Sequence, residues 1–374
     1  MDHFDKLCLA PWNSIYEGPK GVLSPCCQLP VSYESDDYDE AYLKWQHLRD
    51  QYDNQIVPIE CENCPDSLRE SFSLKLGNDK RYDIRYMDLL FSNKCNFACL
   101  GCKSSLSSTI GKLFREPFHI ANEGNELSDH ADEWSTFNKK KLDFIAKNAS
   151  NIKSIHLNGG EPFLQDGIYE LLDYLIKKKL NKKIHVWSHT NGSVDKYKGV
   201  DIVYDYLVHF NKASVVMSLD NFEKRGEYVR WGLNQKKWLK IYDKIQRSGL
   251  FLNVHSCYNV FNCLILDKFA EWFLDNNIKP VELKFWVHPQ CYSVDIIKSD
   301  SDLLDKSLKQ VQKIPKYFGW NKNIFYNLLN KEIDQSRLIR LREVFYESIT
   351  LFDLKRNTDF LNTFPELKKM YSRI

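Results

Sequence analysis

Residues 92–102 read SNKCNFACLGC and carry three cysteines, Cys95, Cys99 and Cys102, in a C-x3-C-x2-C spacing. The apolar run MDLLF at 87–91 precedes them and predicts a buried strand that ends in this loop. Iron–sulfur clusters that only carry electrons are held by four cysteine thiolates. Three thiolates therefore predict a 4Fe–4S cluster with one open iron, and an open position is typical of a metal that takes part in chemistry. The alternatives are three unrelated buried thiols or a zinc site, although zinc sites usually pair two C-x2-C motifs.

A second motif, LNGGEP at residues 157–162, closes another predicted strand. Two adjacent glycines at a strand end allow the backbone to approach a ligand closely. The cysteine loop and this motif, in this order, resemble the radical SAM superfamily and its GGEP motif. The resemblance implies a 4Fe–4S cluster on Cys95, Cys99 and Cys102, with S-adenosylmethionine bound at the open iron. An electron from the cluster would cleave this cofactor reductively, and the 5′-deoxyadenosyl radical so formed would take a hydrogen atom from substrate.

The resemblance also implies a set of residues that bind the cofactor. It comprises Gly159, Gly160, Glu161, Pro162, Ser218 and Arg230. Glu161 is expected to accept a hydrogen bond from the methionine ammonium. Ser218 is expected near the ribose or the methionine carboxylate, and Arg230 could pair with that carboxylate through two parallel hydrogen bonds. No residue is assigned a catalytic role.

One position departs from the family pattern. An aromatic residue usually precedes the third cysteine, but Gly101 stands there in this chain, and Phe97 is the candidate to replace its contact with adenine. Weaker candidates for cofactor or substrate contacts lie at later strand ends, where polar residues also cap helices. They are residues 188–192 (SHTNG), Asn253, His255 and Asn259.

The N-terminal segment holds a second set of cysteines. Cys8 and Cys26 flank a predicted hairpin, and a C-x2-C pair follows at Cys61 and Cys64. Four thiolates in such spacings suit zinc and a 4Fe–4S cluster equally well. The spacing C-x12-G-x4-C from Cys8 and the later C-x2-C resemble part of the SPASM pattern of radical SAM maturases. Since the remaining SPASM cysteines are missing, the unit resembles the one-cluster twitch domain, here placed before the barrel. This implies an auxiliary 4Fe–4S cluster on Cys8, Cys26, Cys61 and Cys64, with Cys27 as the rival of Cys26 and zinc as the rival of the cluster.

From residue 84 onward, short apolar runs alternate with helical stretches, which predicts βα units and a parallel sheet. The predicted strands lie at 84–91, 152–157, 183–188, 213–219, 251–257 and 281–287. The predicted helices lie at 103–114, 138–149, 167–179, 234–247 and 265–276. Before them, a hairpin is predicted at 13–16 and 21–23 and a helix at 40–50, with Leu43, Trp45 and Leu48 in the core. With the resemblance, these units imply an α/β fold, a partial (β/α)6 TIM-like barrel.

These elements divide the chain into three predicted regions. Residues 1–80 form a small cysteine-rich iron–sulfur domain, 81–300 the barrel, and 301–374 a charged helical C-terminal extension. A polar segment at 116–133 is predicted to insert before the second barrel strand. It either reaches the active-site face, which loops after barrel strands build, or lies as a surface loop.

Composition excludes several classes of protein. The formal net charge is +2, from 52 basic and 50 acidic residues, so no global field favours nucleic acid or an anionic membrane. The sequence has no apolar run long enough to cross a bilayer and no signal-peptide pattern at its N-terminus, which predicts a cytoplasmic protein. Cys257, Cys263 and Cys291 stand apart from the metal-like spacings and are expected to be small buried side chains.

Three functions remain in competition. The first is a radical SAM enzyme that modifies a peptide or protein, which rests on the resemblance to SPASM and twitch maturases. The second keeps the chemistry but acts on a small molecule such as a sugar, nucleotide or amine. The third is a non-catalytic iron–sulfur or zinc protein with closed, four-ligand sites. For an enzyme, the resemblance also implies an electron donor such as flavodoxin or ferredoxin.

Overall fold

The computed structural model describes residues 8–27, 29, 33–35, 37–62, 64, 83–114, 132–279, 281–285, 289–315 and 318–371. Most of the predicted polar insertion, residues 116–131, lies outside these ranges, as do residues 286–287 of the last predicted strand. Within them, no helix is both long and apolar enough to cross a bilayer.

Eleven strands are described. They are β1 Ser14–Glu17, β2 Val22–Ser24, β3 Tyr33–Glu34, β4 Tyr86–Leu90, β5 Ala98–Cys99, β6 Ser154–Asn158, β7 His185–Thr190, β8 Ala213–Ser218, β9 Arg230–Trp231, β10 Phe251–Tyr258 and β11 Val281–Phe285. Nine of them form one sheet in the order β11-β10-β8-β7-β6-β4-β1-β2-β3, and β5 and β9 form a separate pair. Every neighbouring pair from β4 to β11 in the large sheet is parallel. This confirms the α/β fold with six parallel barrel strands, and each predicted barrel strand overlaps an observed one.

The α-helices alternate with the barrel strands and then continue alone. They are α1 Ala10–Asn13, α2 Tyr38–Lys44, α3 Gln46–Asp53, α4 Ser108–Leu113, α5 Lys139–Asn148, α6 Asp166–Lys177, α7 Glu223–Val229, α8 Gln235–Arg247, α9 Leu266–Asp275, α10 Ser301–Lys313, α11 Lys322–Asn330, α12 Gln335–Arg356 and α13 Phe360–Thr363. Side-chain capping marks several of their starts: Asn138, Asn234 and Asp300 each accept from a backbone N–H of the first turn. The helices predicted between barrel strands are all present.

The barrel strands separate two environments because side chains alternate between the faces of a strand. Apolar residues of one face, such as Leu157, Val186 and Val254, pack in a core with the surrounding helices. The opposite, concave face of the same strands carries histidines, described below. The helices that follow residue 300 pack in a second core, which also contains Ala98 and Leu100 of the cysteine loop.

The N-terminal hairpin is continuous with the barrel sheet. β1 and β2 pair antiparallel as predicted, and β1 also pairs parallel with β4, with Ser14 opposite Tyr86. A buried ion pair between Glu17 of β1 and Lys141 of α5 adds a second connection. The first three strands thus extend the barrel sheet, while the domain boundaries at residues 80 and 300 stay a prediction.

The helix predicted at 40–50 is two helices. The backbone at Trp45, with φ −86° and ψ 7°, interrupts it between α2 and α3. Trp45 and Leu48 are fully buried as predicted, but Leu43 is 70% exposed. The prediction for Leu43 was wrong because the break changes the direction of the helix, so a single helical spacing does not place all three residues on one face.

Candidate active site: the cysteine pocket

The loop with Cys95, Cys99 and Cys102 is held by the first turn of α4. Ser107 Oγ donates to the Phe97 carbonyl over 2.6 Å, and Thr109 Oγ1 donates to the Cys95 carbonyl over 2.6 Å. Ser108 Oγ in turn accepts from the Cys95 N–H over 3.2 Å. Three consecutive hydroxyl residues therefore fix the backbone around the first cysteine.

The three thiols meet in one pocket. Cys95, Cys99 and Cys102 line a cavity of about 480 Å³. Burial, with the neighbouring thiols Cys99 and Cys102 adding to it, raises the pKa of the Cys95 thiol. Burial also raises the pKa of Cys102 to about 12. The other lining residues are Phe97, Gly101, Asn158, Gly159, Gly160, His189, Thr190, Asn191, Ser218, Asp220, Val229, Arg230, Cys257 and Phe285.

Two glycines let the end of β6 press against the cysteine loop. A Cβ at Gly160 would lie 2.4 Å from the Lys94 carbonyl oxygen and 2.6 Å from the Asn93 carbonyl oxygen. Gly159 has a φ of +138°, and a Cβ there would lie 2.8 Å from the Ser92 carbonyl oxygen. The Gly160 N–H donates to that Ser92 carbonyl over 3.1 Å. Residues with side chains cannot replace these glycines without separating the strand end from the loop.

Glu161 has hydrogen-bond partners within the protein. Its carboxylate is fully buried and accepts from Thr190 Oγ1 and from the Asn191 N–H, each over 2.7 Å, and from the Phe163 N–H. Neither Glu161 nor Pro162 lines the pocket. Glu161 thus links the end of β6 to the end of β7. The motif alone did not predict this contact. Burial raises the pKa of Glu161 to about 7 in spite of these hydrogen bonds.

Arg230 and Asp220 form an ion pair beside the thiols. The short pair of strands β5 and β9 sets Cys99 opposite Arg230. Arg230 Nη2 lies 2.8 Å from Asp220 Oδ2, and Nη1 lies 4.0 Å from Cys99 Sγ. The buried Nε of Arg230 has no hydrogen-bond partner. Asp220 Oδ1 also accepts from the Cys257 N–H over 2.9 Å. Asp220 thus fixes the guanidinium of Arg230 at the wall of the pocket.

The C-terminal helix α12 contacts the cysteine loop from behind. Arg356 is 5% exposed and donates to the carbonyls of Ala98 and Tyr228, the latter over 3.2 Å. Its guanidinium also stacks 4.0 Å from the ring centre of Phe352. Burial lowers the pKa of Arg356 to about 10, so it keeps its charge at neutral pH. One residue of the extension thus contacts both β5, which carries Cys99, and the end of α7, which leads into Arg230.

The N-terminal cysteines lie apart from this pocket. Cys8 is buried in a small apolar cluster with Trp12 and Tyr52, and Cys26 and Cys61 pack against the same cluster. The Cys64 N–H donates to the Cys61 carbonyl over 3.1 Å, which places it one turn later. In the described ranges, no group of three or more His, Cys, Asp or Glu side chains is placed to hold a single metal ion. A 4Fe–4S cube has a different requirement, because each thiolate binds its own iron.

Related sequences show what this chain is similar to. Residues 84–209 match a family model described as a 4Fe-4S single cluster domain. The 7-carboxy-7-deazaguanine synthase of Clostridium acetobutylicum is 28% identical over 160 residues, 40% of this chain and 70% of that protein. The radical SAM cyclopropyl synthase TigE of Paramaledivibacter caminithermalis is 24% identical over 263 residues, 67% of this chain and 52% of that protein. The chain is thus similar in sequence to a radical SAM enzyme over two thirds of its length.

One solved structure is also similar. The crystal structure of Streptococcus suis SuiB bound to S-adenosylmethionine has 15% sequence identity and a TM-score of 0.42, and covers 74% of this chain and 59% of that chain. The chain spans 52% of the length of TigE and 59% of SuiB.

The cysteine pocket brings together most of the predicted residues. The three cysteines, Gly159, Gly160, Ser218 and Arg230 all line it, and so do both Gly101 and Phe97. Asn259 does not: it is fully buried and bonds within its own turn to Phe261 and Asn262.

Cys257 was misjudged. It was expected to be a small buried side chain, yet it is half-buried and lines the pocket, and burial raises its pKa to about 12. Of the weaker candidates at residues 188–192, His189, Thr190 and Asn191 line the pocket. His189 and Cys257 each occupy the same face of a strand as other half-buried polar residues.

Proposed function

We propose that this chain reductively cleaves S-adenosylmethionine at a 4Fe–4S cluster held by Cys95, Cys99 and Cys102, and that the radical chemistry modifies a peptide or protein. The observation that carries this proposal is the meeting of three half-buried cysteines and an ion-paired arginine in one pocket. When bound, the cluster and cofactor supply a 5′-deoxyadenosyl radical. The chain supplies position and a closed environment.

The pocket residues fit this cofactor in three ways. Three cysteines leave one iron of a cube for a ligand other than the protein. Gly159 and Gly160 line the pocket with backbone alone. Arg230 also lines the pocket, its guanidinium is a donor suited to a carboxylate, and Asp220 holds that guanidinium in place. Arg230 and Ser218 therefore remain the residues proposed to bind the methionine and ribose groups.

An auxiliary 4Fe–4S cluster on Cys8, Cys26, Cys61 and Cys64 is the second part of the proposal. Its support is the shared packing of Cys8, Cys26 and Cys61 around one apolar cluster. Cys26 packs there, whereas Cys27 is exposed, which favours Cys26 as the ligand. An electron donor such as flavodoxin or ferredoxin would reduce the clusters.

A peptide substrate is supported by a groove beside the pocket. The groove has a volume of about 710 Å³ and lies between α7 and α13. Arg230 of β9 lines the cysteine pocket, and the next residue, Trp231, lines the groove. Charged side chains such as Lys224 and Glu227 border it, which suits an extended polar chain.

A small-molecule substrate is the second candidate. The relative with 28% identity is a 7-carboxy-7-deazaguanine synthase, whose named product is a small heterocycle. Under this alternative, substrate would occupy the pocket without using the charged groove.

The test begins with anaerobic reconstitution, reduction with dithionite and addition of S-adenosylmethionine. We expect 5′-deoxyadenosine from the wild type and none from Cys99→Ala. Cys263→Ala is the matched control, since Cys263 is fully buried and does not line the pocket. Absence of 5′-deoxyadenosine in a wild-type sample with about eight irons per chain, as two cubes require, would refute the radical SAM reaction.

Substrate class is decided by calorimetry and by stimulation of this reaction. The probes are synthetic peptides with the sequences of short peptides encoded next to the gene for this protein, and a set of sugars, nucleotides and amines. Lys224→Glu should weaken peptide binding and leave unstimulated cleavage unchanged, whereas Lys236→Glu, an exposed charge reversal on α8 outside the groove, should change neither. Equal binding of peptide to both variants would argue against the groove.

A further inference from the structure

Five titratable side chains form a continuous line beneath the cysteine pocket. His156 Nε2 lies 3.0 Å from His189 Nδ1, and His189 Nε2 lies 3.0 Å from His255 Nδ1. His255 Nε2 lies 2.5 Å from Glu282 Oε2. At the other end, His156 Nδ1 lies 3.0 Å from Asp88 Oδ1, although outside hydrogen-bond geometry.

The line crosses the concave face of the barrel. Its members come from β4, β6, β7, β10 and β11, with Asp88 in register with His156 and His255 in register with Glu282. His189 lines the cysteine pocket, while the Glu282 side chain is 42% exposed. The line therefore joins the pocket floor to solvent at the edge strand of the sheet.

The hydrogen bonds set the number of protons. A neutral imidazole carries one N–H. Three neutral rings supply the protons of the three contacts from His156 to Glu282. The Nδ1 of His156 then carries no hydrogen and faces the Asp88 carboxylate. Both groups are hydrogen-bond acceptors, so they repel each other. A fourth proton, on His156 or on Asp88, removes this repulsion, so the line in this geometry is suited to hold one proton more than its neutral rings carry.

The surrounding charges decide where that proton rests. Burial lowers the pKa of His189 to about 3, with His156, His255, Lys284 and Arg230 adding to the effect. Burial also lowers the pKa of His255, against the opposing charge of Glu282. At the Asp88 end, Asn158 Nδ2 donates to Asp88 Oδ1 over 3.2 Å, and the buried phenols Tyr16 and Tyr86 have pKa values raised by burial and by Asp88. The extra proton therefore does not rest on His189 and only passes through it.

We propose that Asp88, His156, His189, His255 and Glu282 form a proton relay that runs along the floor of the cysteine pocket and exchanges protons with solvent at Glu282. The Trp187 ring stacks on His156 at 3.6 Å between centroids with 8° between planes, which holds the ring in line.

The relay moves protons only. With the fourth proton on His156, the Nε2–H bond of His156 breaks and an N–H bond forms at Nδ1 of His189, the ring that lines the pocket. His189 passes its Nε2 proton to His255 Nδ1, and His255 passes its Nε2 proton to Glu282. Glu282 releases that proton to water. One proton leaves His156, one reaches solvent, and no electron is transferred.

The experiment measures exchange of the imidazole N–H protons with solvent in the cluster-loaded chain, labelled with ¹⁵N-histidine. His255→Gln interrupts the line without changing a residue that lines the pocket, and Glu282→Gln removes its solvent end. We expect both to slow exchange at His189 by about tenfold or more, a factor within the usual range for positioned acid–base groups. His185→Gln is the matched control. His185 is a half-buried histidine on β7, the strand of His189, and it bonds to Ser214 over 2.9 Å, outside the line.

The outcomes separate a relay from a structural role. Loss of a purely structural contact loosens the site and speeds exchange, so slower exchange in both variants supports the relay. Unchanged or faster exchange at His189 in Glu282→Gln overturns it, and this exposed substitution serves even if His255→Gln does not fold. 5′-Deoxyadenosine formation without substrate is measured in the same samples. Its absence in the wild type counts against the proposed function, and the exchange rates still decide the relay.

Discussion

Gly160→Ala tests whether the close approach of β6 to the cysteine loop is needed for the cluster. The added Cβ would meet the carbonyl oxygens of Lys94 and Asn93 at 2.4 and 2.6 Å, where ordinary contacts begin at 3.4 Å. Both neighbours are backbone atoms that follow Ser92, so no flexible side chain can move aside. The strand end and the loop must separate by about 1 Å, which is the difference between these distances.

The loss of stability follows from the hydrogen bonds that this separation breaks. The Gly160 N–H bonds to Ser92 over 3.1 Å and the Glu161 N–H bonds to Lys94 over 2.8 Å. Losing both costs about 1–3 kcal/mol, and overpacking adds about 1–3 kcal/mol, so the free energy of unfolding should fall by about 2–6 kcal/mol. We expect the pocket cluster to be lost as well, because its loop moves away from the pocket.

Urea unfolding and iron analysis measure these effects. Gly249→Ala is the control: its Cβ would meet nothing within 4 Å, and its φ of +77° leaves only backbone strain of about 1–2 kcal/mol. If Gly160→Ala kept its full iron content and lost no more stability than Gly249→Ala, the close approach would not matter for the site.

Three further predictions follow from the same region. Arg356→Ala leaves two buried carbonyls without their donor. It should lower the free energy of unfolding, measured with urea, by about 2–6 kcal/mol, and the pocket cluster should be lost. The exposed Arg340→Ala on the same helix should change neither the stability nor the cluster. The raised pKa of Glu161, about 7 against 4.5, means that the folded state binds its proton more tightly, so its contribution to stability is present below pH 4.5 and falls by about 3 kcal/mol as pH rises to 7. Glu161→Gln should flatten that part of the pH profile, and an unchanged slope would exclude the assignment. Cys61→Ala should lower the iron content from about eight to about four per chain and leave the pocket cluster visible by electron paramagnetic resonance, whereas Cys99→Ala should lose the pocket cluster instead.

The barrel could be predicted from the sequence because its signals are local. Alternation of apolar runs and helical stretches sets the order of strands and helices, and this order determines a parallel sheet. The spacing of Cys95, Cys99 and Cys102 is local as well, since one loop carries all three. Leu43 shows where this reasoning failed, because a single helical period was applied across the break at Trp45.

The non-local contacts could not be read from motifs. The protein partners of Glu161 can be identified only when β7 is placed beside β6, where Thr190 and Asn191 donate to its oxygens. The histidine line needs both the strand order and the stagger between strands, since its neighbouring members are between 27 and 68 positions apart in the sequence. Only their occurrence on one face of their strands was visible beforehand.

Arg356 has a consequence for the order of events during synthesis. Its acceptor in the cysteine loop, the carbonyl of Ala98, was made 258 residues earlier. Chains fold from the N-terminal side as they leave the ribosome, so this loop waits through most of translation without its last support. A nascent chain that ends before residue 356 offers its three thiols in a loop not yet closed from behind. Delivery of iron and sulfide to such a chain would meet an accessible site, and arrival of α12 would then seal the loop around it.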